Sequence, residues 1–215
     1  LINNVENDGT PYILTADHCI DSQTEAQSTL VLFNYQSPFC NDPIGLDSSL
    51  FFLNSRSELI ASSKEFDFSL IRLSHAPPIS ANPYFAGWKR QLTPPSQEVA
   101  GIHHPKGDRK KLSRESQLIE FIPSLFLNMN SNTLYNPFSF WRIKDFDIGA
   151  VNPSSSGSAL FDLDGRIIGI LSHVKDSNCV VSNQKIFYTR FINAWDNSFF
   201  SNANRKLAPW LDPLG

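Results

Sequence analysis

Breaking an amide bond with a serine hydroxyl requires a base to take the hydroxyl proton and a carboxylate to hold that base in one tautomer. It also requires donors for the oxyanion that forms. Three separated strings supply such groups: Thr15-Ala16-Asp17-His18-Cys19, Asp67-Phe68-Ser69-Leu70-Ile71 and Ser154-Ser155-Ser156-Gly157-Ser158. In this reading Ser156 is the nucleophile, His18 the base and Asp67 its orienting carboxylate. Each residue type alone is commonplace, since a lone histidine is more often structural than catalytic and a serine-rich loop is usually a turn. The expectation rests on the three occurring together, each at the edge of an apolar run.

Those runs read as strands. Short segments rich in Ile, Val, Leu and Phe, bounded by Pro, Gly, Asn or Ser, fall at 12–15, 29–35, 68–73, 99–103, 117–122, 158–161, 167–172 and 186–192. Asp162-Leu163-Asp164-Gly165 reads as a hairpin turn, because Asp-Gly accepts the positive φ that tight turns require. Pro-rich stretches at 75–83 and 91–95 are the linker candidates between two halves. Only the tail 202–211 looks helical, with Pro209 interrupting it.

The chain has 215 residues, enough to bury a real core. Apolar residues make up 41% and charged residues 18%, with 14 Pro, 10 Gly and 17 Phe, which suits short strands and many turns. A net charge of −3 offers no attraction for nucleic acid or anionic lipid, and no apolar run is long enough to cross a bilayer. Neither nucleic acid nor membrane is therefore an expected partner. The cluster Arg109, Lys110, Lys111 and Arg114 reads as a solvated loop.

The motifs also carry a resemblance. TADHC resembles the TA-x-HC box around the catalytic histidine of trypsin-like serine peptidases, and DFSLIRL is similar to the strand that carries their aspartate. SSSGSALF resembles the nucleophile loop of bacterial members. LINNVENDGTPYILTADHC, FNYQSPFC, FAGWKR, the IHHP string and the terminal WLDP further resemble the bacterial lysyl endopeptidase group, from Leu1 almost to Gly215.

This resemblance implies an all-β chymotrypsin-like fold of two six-stranded antiparallel Greek-key barrels with a short C-terminal helix. Residues 1–80 would form a first barrel lacking its N-terminal strands, and residues 81–215 the second barrel and the helix, together one peptidase domain. The site would lie between the barrels and act on a protein or peptide substrate without metal or cofactor. His103 and His104 would lie on a structural strand, and no Cys or acidic partner stands near them at metal-ligand spacing.

Three departures bear on what is cut. Ser154 stands where the family has a glycine that helps form the oxyanion hole, often at dihedral angles costly to a residue with Cβ. The acidic residue that holds a substrate lysine is absent from 179–191, and Lys185 falls at or near its place. Lysine specificity is therefore not expected. Ser172, His173, Val174 and Lys185 are the candidate substrate-binding residues. Lys185 either receives an acidic side chain with Ser172 or His173, or points to solvent and leaves a neutral pocket. Finally, Asp17 replaces the Ala or His usual beside the catalytic histidine, and strand alternation would turn it away from that ring.

Three cysteines cannot all pair within one chain. The resemblance implies that Cys19, Cys40 and Cys179 each bond to a cysteine in a segment upstream of Leu1, which would complete the first barrel; a Cys19–Cys40 bridge is the alternative. Disulfide use points to a secreted or periplasmic location. The resulting expectation is a secreted serine endopeptidase working through an acyl-enzyme. Its rival is a protease-fold protein with weak or no catalysis that acts as a binding or regulatory module.

Overall fold

The computed structural model describes residues 1–37, 51–54, 56–116, 119–121, 126–128, 133–135, 137–175, 185–196 and 201–215. In the first half the strands are β1 (Tyr12–Thr15), β2 (Leu30–Phe33), β3 (Phe51–Asn54), β4 (Glu58–Ser63) and β5 (Phe68–Arg72). The second half holds β6 (Val99–His103), β7 (Lys111–Glu115), β8 (Glu120–Phe121), β9 (Phe126–Asn128), β10 (Thr133–Tyr135) and β11 (Phe140–Ile143). It continues with β12 (Ala159–Phe161), β13 (Ile167–Lys175) and β14 (Lys185–Arg190). Every named pairing is antiparallel. The sheets run β1-β5-β4, β2-β3, β9-β10 and, in the second half, β7-β6-β12-β13-β14-β11-β8. The all-β expectation holds, with the two-residue β8 as a seventh strand where six were expected.

Strand β13 sits at the centre of the large sheet and explains how the halves join. Its first six residues are all buried, and the first five form the continuous apolar run of a strand covered on both faces. Ile168 and Leu171 pack with Val99, Trp141, Leu160 and Tyr188. Ile167 and Ile170 pack instead with Phe68 and Leu70 of β5 and with Leu207 and Leu211 of the tail. One apolar cluster thus belongs to the large sheet, and the other spans both halves.

Several expectations are corrected. The strand expected to reach residue 192 ends at Arg190, and a short helix α1 (Phe191–Trp195) comes next. Phe191, Ala194 and Trp195 are buried at helical i, i+3, i+4 spacing, a face that a strand reading overlooks. The tail divides into a 3-10 turn, Ala203–Arg205, and a helix α2 (Ala208–Leu211). Pro209 lies in the first turn of α2, where its missing N–H costs nothing. The basic cluster is only partly loop, because Lys111 and Arg114 lie on β7 and Arg114 makes a bidentate pair with Glu98. Lys110 N–H donates to the Tyr35 carbonyl at 3.0 Å and Arg109 to Ser37 Oγ at 2.8 Å, which ties this segment to the first half. The Asp-Gly hairpin forms as read, with Gly165 at φ +73° and the Asp162 carboxylate accepting from the N–H groups of Asp164 and Arg166.

Candidate active site

The register of two strands brings His18 and Asp67 together. Strand β1 ends at Thr15 opposite Ser69 of β5, so the residues just after β1 meet those just before β5. After Ala16 the chain winds into a 3-10 turn, Asp17–Cys19, and Ser69 Oγ secures it by donating to the Ile20 carbonyl at 2.7 Å. Asp67 enters β5 from a left-handed φ of +45°, a conformation that aspartate tolerates better than most residues.

His18 Nδ1 lies 2.9 Å from both carboxylate oxygens of Asp67, and His18 N–H donates to Oδ1 at 3.1 Å. Ser172 Oγ, from β13, donates to Oδ2. Asp67 is only 3% exposed, whereas the His18 side chain is 45% exposed. A buried carboxylate with these donors fixes the ring through Nδ1 and leaves Nε2 for chemistry. The His18 pKa is pushed up to about 10, first by the bond with Asp67 and then by the Cys19 side chain beside it.

Ser156 reaches this neighbourhood through Gly157. Gly157 N–H donates to the Leu171 carbonyl at 2.8 Å, and Leu171 N–H to the Ser158 carbonyl at 2.8 Å, so the loop is sewn to the strand that carries Ser172. Gly157 has φ +79°, and a Cβ there would stand 2.2 Å from Thr15 Oγ1 and 2.9 Å from Ala16 N. The bare glycine lets the loop lie against the chain just before His18. Among the described residues no hydrogen bond joins Ser156 Oγ to the imidazole; such contacts commonly tighten only when substrate binds. Ser154 has φ +71°, the left-handed region expected for the glycine it replaces. The N–H groups of Ser154 and Ser156 donate to no acceptor among the described residues.

The four candidate specificity residues diverge. Ser172 turns to Asp67. The His173 ring stacks on Phe187, with centroids 4.4 Å apart, and meets Phe140 edge-on. Burial, opposed by the charge of Asp67, holds its pKa down at about 4. Val174 packs on the core of the large sheet. Lys185 is exposed opposite Lys175, while the next residue, Ile186, is fully buried. Asp17 departs from expectation, since a 3-10 turn does not alternate like a strand. It is 8% exposed, and its pKa is raised to about 6 by burial and by the charge of Asp67. Cys19 is an exposed free thiol, while Cys40 and Cys179 lie outside the described residues. Among the described residues no cluster fits a metal ion, and no helix is long and apolar enough to cross a membrane.

Sequence reasoning missed two contacts at the site. It gave Ser172 to the specificity pocket and not to Asp67, and it left His103 without a tie to the 154–158 loop. His103 Nδ1 lies 3.0 Å from Ser155 Oγ. Neither pairing leaves a local signal, because each joins residues far apart in the chain.

Comparison with known proteins gives the family and the fold. The family model for the lysyl endopeptidase C-terminal domain matches residues 1–189. A lysyl endopeptidase of Pseudomonas aeruginosa is 26% identical over 168 residues, 77% of this chain, which spans about a third (33%) of that relative. Solved structures with the same fold include the active form of a protease from M. tuberculosis, with a TM-score of 0.54 and 14% identity over 83% of this chain and 64% of the other. An HtrA-type protease with a bound decapeptide has a TM-score of 0.54 and 18% identity over 85% of this chain and 45% of the other. The protease domain of MamO from Magnetospirillum magneticum has a TM-score of 0.53 and 13% identity over 85% and 80%. These likenesses show a chymotrypsin-type fold.

Proposed function

Because this chain belongs to the lysyl endopeptidase C-terminal domain family, we propose that it is a serine endopeptidase in which Ser156, His18 and Asp67 form the proton relay. Ser156 Oγ attacks the scissile carbonyl while His18 Nε2 takes its proton, and the Ser154 and Ser156 amides receive the oxyanion. His18 then protonates the leaving amine, and water releases the acyl group by the reverse sequence. The observation that carries this reading is the buried Asp67 carboxylate with four contacts at once: two at 2.9 Å to His18 Nδ1, one to His18 N–H and one to Ser172.

The pocket in this reading is neutral. Lys185 is exposed and Ile186 buried, which fits a lysine turned to solvent and a pocket that takes no charge from this strand. Cleavage after uncharged residues is the expected outcome, and predominant cleavage after lysine in a peptide library would count against it. In the same reading Cys19, an exposed free thiol, pairs either with a cysteine outside this sequence or with Cys40, which suits an oxidising, extracytoplasmic setting.

A fluorophosphonate probe tests the central claim. It labels the wild-type chain, and the Ser156→Ala variant stays unlabelled. A second reading, a protease-fold binding protein without turnover, is favoured by Ser154 in a backbone conformation suited to glycine. Failure of the folded wild type to label would select it.

A further inference from the structure

A second chain of bonded polar groups reaches the nucleophile loop from β6 and β7. Gly101 of β6 pairs with Ser113 of β7, and His103, two residues on, shares that face of the ladder. His103 Nε2 lies 2.9 Å from Ser113 Oγ, and Nδ1 lies 3.0 Å from Ser155 Oγ. All three side chains are buried, at 1% exposure or less. Just past His103, Lys106 N–H donates to the Pro153 carbonyl at 2.6 Å. The β6 exit therefore grips the loop at Pro153 and at Ser155, on either side of Ser154 with its φ of +71°.

The geometry points to His103 as a positioning residue for the catalytic loop: with Lys106 N–H it forms a clamp that holds Ser154 in the left-handed conformation. Given the proposed role of Ser156, the clamp sets the two amides that receive the oxyanion. A residue with Cβ relaxes out of this region unless its neighbours fix the peptide planes on both sides. Ser155 stands between the two donor positions, so its side chain is the handle by which both can be held. A neutral imidazole carries one N–H and one lone pair, so one serine donates to the ring while the other accepts. Each hydroxyl can rotate to suit, and no member of the chain lacks a partner. Burial and the neighbouring His104 hold the His103 pKa down at about 4, which keeps the ring in that neutral form at neutral pH.

The test compares four variants of the whole chain by the rate of fluorophosphonate labelling and by hydrogen exchange of the peptide spanning 152–158. In His103→Asn the amide nitrogen takes the place of Nδ1 and keeps the contact to Ser155. In His103→Gln it reaches the place of Nε2 and keeps only the contact to Ser113. His103→Ala should slow labelling roughly 10- to 100-fold, the scale of a small misplacement of reacting groups, and should speed exchange in the loop. Asn should recover most of both effects and Gln little, while Ser113→Ala should label almost normally. Equal losses in Asn and Gln would mean that His103 only fills space. Wild-type labelling in His103→Ala, or unchanged exchange there, would equally overturn the clamp. A wild type that never labels removes the Ser156 reading alone, because the exchange comparison still decides whether His103 holds the loop.

Discussion

Ser154 concentrates the tension of this site into one residue. A side chain at φ +71° costs about 1–2 kcal/mol relative to glycine. Ser154→Gly should therefore raise stability by about 1 kcal/mol, seen as a rise of about 2–4 °C in Tm, and should not reduce phosphonate labelling. A fall in both would mean that the serine hydroxyl makes a contact worth more than the strain. His18 carries the pH dependence. The proposed mechanism needs the neutral ring, and the ring pKa is pushed up to about 10, chiefly by Asp67. Labelling should climb as pH rises from 7 toward 10, and a flat profile would show that another group limits the reaction. The meeting of His18 with Asp67 was legible because each stands at the end of an apolar run among residue types that fit one chemistry. The inward turn of Asp17 was not, since only the 3-10 winding after β1 breaks the alternation that reading assumed.

At the scale of elements, the approach of the 154–158 loop to the end of β1 depends on Gly157. A methyl group there would overlap Thr15 Oγ1 and Ala16 N at an unfavourable φ of +79°. Gly157→Ala should push Ser156 away from His18 and cut labelling at least tenfold, the scale expected for a displacement of about 1 Å. A crystal structure of the variant with an unmoved loop would refute this account of the packing. Strands with strong apolar periodicity, β1, β5, β6 and β13, were legible within a few residues. Strands β4 and β7 were not, because Glu58, Ser62 and Ser63, or Lys111 and Arg114, dilute the pattern, and β11 was not, because its four residues are too few to show a period. Their place is fixed by partners such as β5 and β14.

For the whole molecule, buried titratable groups set the pH range of stability. His103 and His173 have folded pKa values near 4 against an ordinary 6.5, so the unfolded chain binds their protons first as pH falls. The stability they lend is present above 6.5 and is lost on descent toward 4. Asp17, raised to about 6, acts in the opposite sense between 6 and its ordinary 3.8, one group against two. His18 holds its proton to about 10 when folded, so its contribution is lost as pH rises from 6.5 through 10. Thermal unfolding across pH 4–10 should therefore show Tm highest near neutrality and falling toward pH 4. A Tm that rises on acidification would contradict the buried, neutral histidines.

Ser172 comes from the large sheet, yet its hydroxyl rests on a carboxylate that belongs to the small one. A slight parting of the two sheets, too small to melt any strand, frees Asp67 from that hydrogen bond and lets water reach it. In graded urea, the proposed peptidase activity, read as phosphonate labelling, should accordingly vanish at lower concentrations than the circular dichroism of the strands, so the site falls silent while the chain still looks folded.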